Sequence, residues 1–187
     1  MHGQPRIARK AGVGFREFAE DELAAPVVGE TPDVTADGTE AYAVVVLPGL
    51  GGIVHHEAMF TSDATTRGVQ VSVVSEYAPE RSRPDENHWF FLYTITIANH
   101  SQVTVQLLSR HWVITDGNGH VEEVRGPGVV GEQPVLSPGQ SFTYTSGCPL
   151  RTPFGKMEGT YQMVTADASE FDVRIAPFTL SEPYTVH

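Results

Sequence analysis

Residues 126–131, Gly-Pro-Gly-Val-Val-Gly, have the G-x-G-x-x-G spacing that cradles pyrophosphate in dinucleotide-binding proteins. That chemistry needs a strand before the glycines and a helix after them, so that backbone amides and a helix N-terminus face the phosphates. Here Glu132 and Pro134 follow, and then a turn at Ser137, so no helix of useful length can start. The nucleotide-fold reading is rejected. Two readings stay open. Gly126, Gly128 and Gly131 shape a connection between strands, or successive loop amides form an anion-binding nest with Arg110 or Arg125 beside it.

Other reactive residue types are present without the spacing that their chemistry requires. Of the eight histidines, His55 and His56 are adjacent, and neighbours in an extended chain point to opposite sides. His88, His111 and His120 stand apart, and no H-x-x-x-H or recurring His–carboxylate spacing closes a metal site. Asp116-Gly-Asn118 is not continued by further acidic ligands, so it reads as a turn rather than a calcium loop. Cys148 is the only cysteine, which excludes an internal disulfide and a thiolate zinc site. It is expected to be a packed thiol. The serines lack a G-x-S-x-G elbow, and no carboxylate pair stands out. No catalytic residue, metal or cofactor is expected.

Arg110-His111-Trp112 is the remaining constellation. Strand alternation sends His111 to one side and Arg110 with Trp112 to the other. Either the tryptophan is buried with the arginine snorkelling or paired, or His111 is inside. The alternative is an exposed contact surface.

The elements that must position these residues are strands. VQVSVVSEY (69–77) places Val69, Val71 and Val73 on one face. APERSRPDEN (78–87) is a polar loop bearing prolines. HWFFLYTITIAN follows, dense in aromatic and β-branched residues that favour strand over helix. VTVQLLSRHWVITD is long enough to need a bend or bulge, and Asp116-Gly-Asn-Gly119 supplies a tight turn. HVEEVR returns, GPGVVGEQPVL is a loop, and Ser137-Pro-Gly-Gln140 is a second turn. QSFTYTSG is a strand, RTPFGKMEG a loop, GTYQMVTA a strand, DASE a turn and EFDVRIAPFTL the closing strand. Seven or more strands without a convincing helix predict an all-β sandwich or small barrel.

Residues 1–65 differ. They carry four Lys and Arg against ten Asp and Glu, with no sustained alternation. GFREFAEDELAA could form a turn or two of helix and YAVVVL a strand, joined by proline-bearing linker. The boundary is placed at 65/66.

The formal charge of −11 repels phosphate backbones and anionic lipid, and only 12 Lys and Arg are present. Nucleic acid and membrane surfaces are excluded as partners on that ground. No run approaches a membrane span, and the acidic EFAEDE stretch lies where a signal peptide would be apolar. A single cysteine suits a reducing compartment, so a cytoplasmic protein is expected.

Taken together, residues 66–187 resemble the ApaG domain family. The segments carrying the resemblance are Tyr93-Thr-Ile-Thr-Ile97 with Asn99, VQLLSRHWVITDGNG, GPGVVGEQPVLSPGQSFTYTSG, TPFGKMEGTYQM and IAPFTL. The resemblance implies a fibronectin type III-like β-sandwich without an established enzyme activity. Bacterial members are linked to cobalt tolerance and magnesium efflux, and related eukaryotic domains look like protein-interaction modules. The family's glycine motif falls on Gly126, Gly128 and Gly131. Short bacterial members begin near Met59, so residues 1–58 are expected to be a disordered tail or a mispredicted upstream extension. The function expected is a non-enzymatic module that docks a protein partner through Gly126–Pro134 with Arg110, Trp112 and Arg125. The alternative is a sensor of pyrophosphate-like anions or divalent metal at the glycine loop. Nothing in the sequence sets an oligomeric state.

Overall fold

The computed structural model describes residues 59–183. Among them nine strands follow in order: β1 (Phe60–Thr66), β2 (Val69–Tyr77), β3 (Trp89–Asn99), β4 (Val105–Asp116), β5 (Val121–Pro127), β6 (Val135–Leu136), β7 (Ser141–Leu150), β8 (Phe154–Thr165) and β9 (Glu170–Ser181). One sheet has the order β1-β2-β3-β7; the other has β5-β4-β8-β9, with β6 added beside the start of β4. Every pairing is antiparallel. The loop 78–87 holds two single 3-10 turns, Pro79–Arg81 and Pro84–Glu86, and the described residues contain no α-helix. No described helix is long and apolar enough to cross a membrane.

The core lies between the two sheets, where period-two alternation sends one face of each strand. Val69, Val71 and Val73 of β2 and Phe91, Tyr93, Ile95 and Ile97 of β3 are buried against Trp112, Met157, Tyr161, Val173 and Phe178 of the facing sheet. Burying each such aliphatic or Phe side chain stabilises by about 1.5–3 kcal/mol. Trp112 is the hub. Its ring meets Tyr93, Tyr161 and Phe178 edge-on, with centroids 5.8, 6.1 and 6.0 Å away. The Tyr144 and Tyr161 hydroxyls, one from each sheet, share a buried hydrogen bond of 2.6 Å. Each therefore satisfies the polar group that burial would otherwise penalise.

Two irregularities adjust the phase of long strands. The register of β4 against β8 shifts between Leu107 and Ser109, so that Val105 and Leu107 point inward and then Trp112 and Ile114 do. This is the bulge that the length of the segment predicts. The β8–β9 ladder shifts near Ala176-Pro177, separating inward Val173 and Ile175 from inward Phe178 and Leu180. Proline lacks an amide proton, and here it sits where the ladder is already broken.

Along one side the sheets are stitched by hydroxyls. The Ser62 hydroxyl donates to the Ala176 carbonyl (3.3 Å), the Ser75 hydroxyl donates to the Thr179 carbonyl (2.6 Å), and the Thr66 hydroxyl accepts from the Arg174 amide (3.1 Å). The edge backbone of β9 is thereby covered.

Three expectations about extent need correction. The segment GPGVVGEQPVL is not all loop, since β5 runs on to Pro127 and β6 takes Val135–Leu136. The first strand begins at Phe60, inside the segment assigned to the front extension, because β1 is a polar edge strand whose alternation is faint. The segment RTPFGKMEG is not all loop, since β8 starts at Phe154. Its glycines mark close approach of strands: a Cβ on Gly159 would lie 2.1 Å from the His111 carbonyl oxygen. The pieces GFREFAEDELAA and YAVVVL, with residues 1–58 as a whole, lie outside the described residues.

Candidate functional site: the glycine hairpin

The site begins at the bulge. Leu108 is the residue left out of the β4–β8 register. Its carbonyl accepts from the Gly128 amide (2.9 Å) and from the Gln133 side-chain amide (2.7 Å). The segment after β5 is thus tied back across β4. The Leu107 amide adds a bond to the Pro134 carbonyl at 3.0 Å.

Arg110 supplies the second anchor. It stands directly opposite Gly126 in the β4–β5 pair. Because Gly126 has no side chain, the guanidinium lies across it, and a Cβ there would sit 3.1 Å from Nη1. Nη1 donates to the carbonyls of Pro127 (3.0 Å) and Gly128 (2.8 Å). One cation therefore fixes the chain's exit from the strand, a geometry suited to a planar fork.

Past this anchor the chain makes a two-residue hairpin. The Val129 amide donates to the Glu132 carbonyl (2.8 Å), and the Glu132 amide returns a bond to Val129 (2.7 Å). The two central residues, Val130 and Gly131, have φ of +42° and +83°. Two positive φ values are what a type I′ turn requires, and glycine is at home there. Valine is not: a β-branched residue at positive φ is an outlier that costs roughly 1–2 kcal/mol. Val130 is held by packing against the core beside fully buried Val129. Gly131, Glu132 and Gln133 are exposed, and Val135 is 57% exposed.

These bonds favour the first of the two readings of the glycine segment. Amides of Gly128, Val129 and Glu132 donate to protein carbonyls rather than converging on an empty nest. No helix follows Gly131. The glycines shape a connection.

The six residues singled out in the sequence part company. Gly126, Gly128, Gly131 and Arg110 form one unit. Trp112 does not join them: it is fully buried at the centre of the core, so its expected place on a contact surface is corrected. The reason is the interior phase that it shares with Ile114 after the bulge. Arg125 lies on the opposite face of the sheet from Arg110, 69% exposed, because His111 and not Arg110 is its cross-strand partner. There His111 Nε2 is 2.9 Å from the Glu123 carboxylate and Arg125 is 3.4 Å from the same oxygen. The His111 hydrogen bond, then its charge, then Arg125 hold the Glu123 carboxyl below its ordinary range.

The remaining groups fall into structural places. The Asp116 carboxylate accepts the Asn118 and His120 amides at 2.9 Å each, which makes it part of the turn. Cys148 is buried, and burial pushes its thiol up. Among the described residues no group of three or more His, Cys, Asp or Glu could hold a metal ion. Spacing alone did not show the roles of Leu108, Val130 and Gln133. Leu108 acts through a carbonyl, which every residue has. The only available signal for Val130 was its place before Gly131.

Two sheets packed face to face, with a glycine segment closed into a hairpin, define an antiparallel β-sandwich. A family model described as the ApaG domain matches residues 79–165. The chain is 56% identical over 120 residues to Protein ApaG of Beijerinckia indica, covering 64% of this chain and 92% of that protein. It is 53% identical over 119 residues to Protein ApaG of Azotobacter vinelandii, covering 64% and 94% respectively. A crystal structure from Bordetella pertussis, under the name ApaA, is similar with a TM-score of 0.61 at 51% identity, covering 63% of this chain and 95% of that one. The chain belongs to the ApaG family.

Proposed function

We propose that this protein is a non-catalytic, cytoplasmic binding module, and that the glycine hairpin is where a protein partner docks. The observation that carries this reading is Val130, held at a left-handed φ in a hairpin tied back by Arg110, Leu108 and Gln133. Strain that its surroundings over-determine is a marker of functional loops. A rigid loop loses little freedom on docking, which favours association. The hairpin offers exposed Gly131–Gln133 and Val135 beside edge strand β5. Its inward-donating amides favour a protein surface over a pyrophosphate-like anion. The process served is the one that the resemblance implies, cobalt tolerance and magnesium efflux.

The test is affinity capture from lysate with wild type and with a Glu132→Lys/Val135→Glu double variant. Both positions are exposed, so the variant keeps the wild-type melting temperature. A partner recovered by wild type and lost by the variant supports the hairpin as the docking site; equal recovery refutes it. Phosphate release from a dinucleoside polyphosphate above a heat-killed control would refute the non-catalytic reading.

A further inference from the structure

At the end of the sandwich where β1 turns into β2, a cavity of about 450 Å³ opens between three loops. It shares no lining residue with the glycine hairpin. Its cation is Arg67, the first residue of the turn, at φ +50° and followed by Gly68 at +79°. Asparagine, aspartate or glycine would suit that left-handed position better. The guanidinium carbon lies 5.3 Å from the centroid of the Phe171 ring. Among the described residues no ion pair or hydrogen bond engages this guanidinium. The rest of the wall combines apolar Val103, Val105 and Ala166 with polar Ser101, Thr165, Asp167 and Ser169.

The cavity is built rather than loose. The Asn99 side chain, itself fully buried, donates to the Val103 carbonyl (2.8 Å) and accepts from the Ser101 amide (3.0 Å). The His100 amide donates to the Gly68 carbonyl at 2.7 Å, tying this loop to the Arg67 turn. On the far wall the Asp167 carboxylate accepts from the Thr165 hydroxyl and the Ser169 amide, which turns it into its own loop rather than toward Arg67.

We propose that this cavity binds a small monocarboxylate whose apolar body lies against Val103, Val105 and Phe171 while Arg67 takes the carboxylate. The planar guanidinium matches a carboxylate through two parallel hydrogen bonds. A single cation, with Asp167 in the same wall and a chain of formal charge −11, disfavours polyanions. The volume lies in the range of small-molecule sites.

The experiment titrates the full-length, nitrogen-15-labelled protein with phenylacetate, and in parallel arms with phenylacetamide and pyrophosphate. Phenylacetate is expected to give saturable shifts at Ser101, Val103 and Ala166–Ser169 below ~10 mM, with phenylacetamide weaker by at least about tenfold. The variant Arg67→Asn removes the guanidinium while suiting the left-handed turn. It keeps its remaining spectrum and loses phenylacetate binding by at least about tenfold. The proposal is overturned by no saturable shift with phenylacetate, by equal binding of the amide or of the variant, or by pyrophosphate binding more tightly at the same residues.

Discussion

Gly128 and Gly131 share a positive φ but not an environment, and the difference is measurable. A Cβ on Gly128 would lie 2.2 Å from the Glu132 carbonyl oxygen, whereas one on Gly131 would meet nothing within 4 Å. Gly131→Ala therefore bears only the left-handed penalty, roughly 1–2 kcal/mol. Gly128→Ala must also break the Val129–Glu132 pair, so its cost exceeds about 3 kcal/mol. Urea unfolding of the two variants should show that order; equal losses would mean that the hairpin opens without penalty. The spacing of the glycines was plain in the sequence, but their inequality was not. It depends on which carbonyl faces each one, and that is settled by the return of the chain over β4.

At the scale of elements, loops at one end of the sandwich depend on the side chain at the end of β3. Besides its bonds to Val103 and Ser101, Asn99 donates to the Leu136 carbonyl in β6 at 2.9 Å. Its backbone accepts from Gly139 (2.7 Å) and donates to Gln140 (2.9 Å). One buried amide thus joins the β3–β4 loop to the connection that leads into β7. Asn99→Ala leaves several buried polar groups unsatisfied at once, and its expected cost is about 2–4 kcal/mol. Amide exchange in that variant should accelerate first at residues 100–104 and 136–140; uniform acceleration would argue that Asn99 supports the whole core instead. The strands that these loops connect were legible because period two is written in residue type, as in Val69, Val71 and Val73. β1 and the first half of β8 were less legible. Both lack a dense apolar face, and Gly155 and Gly159 look like loop residues until a neighbouring strand is placed beside them.

For the molecule as a whole, Cys148 reports on the integrity of the sandwich. Its thiol is buried, and burial pushes it above the usual thiol value near 9. A group whose folded pKa is raised contributes stability that is fully present below its unfolded value. That stability is lost as pH rises from the unfolded value toward the folded one. Unfolding free energy should therefore fall on the alkaline side of pH ~9, and Cys148→Ser should flatten that fall. Alkylation of the native protein should proceed only at the rate of opening. Rapid labelling at neutral pH would place the thiol at the surface and contradict the packing.

The sequence by itself determined the all-β class, the turns at Asp116–Gly119 and Ser137–Gln140, and the exclusion of a dinucleotide fold, because these follow from residue type and local spacing. Only the tertiary structure decided that Trp112 is the core's hub, that Arg110 and Arg125 stand on opposite faces, and that Arg67 meets Phe171 across a cavity. These depend on bulge position and strand register. A shift of one residue in either reverses which side chains face inward, and no local pattern records it.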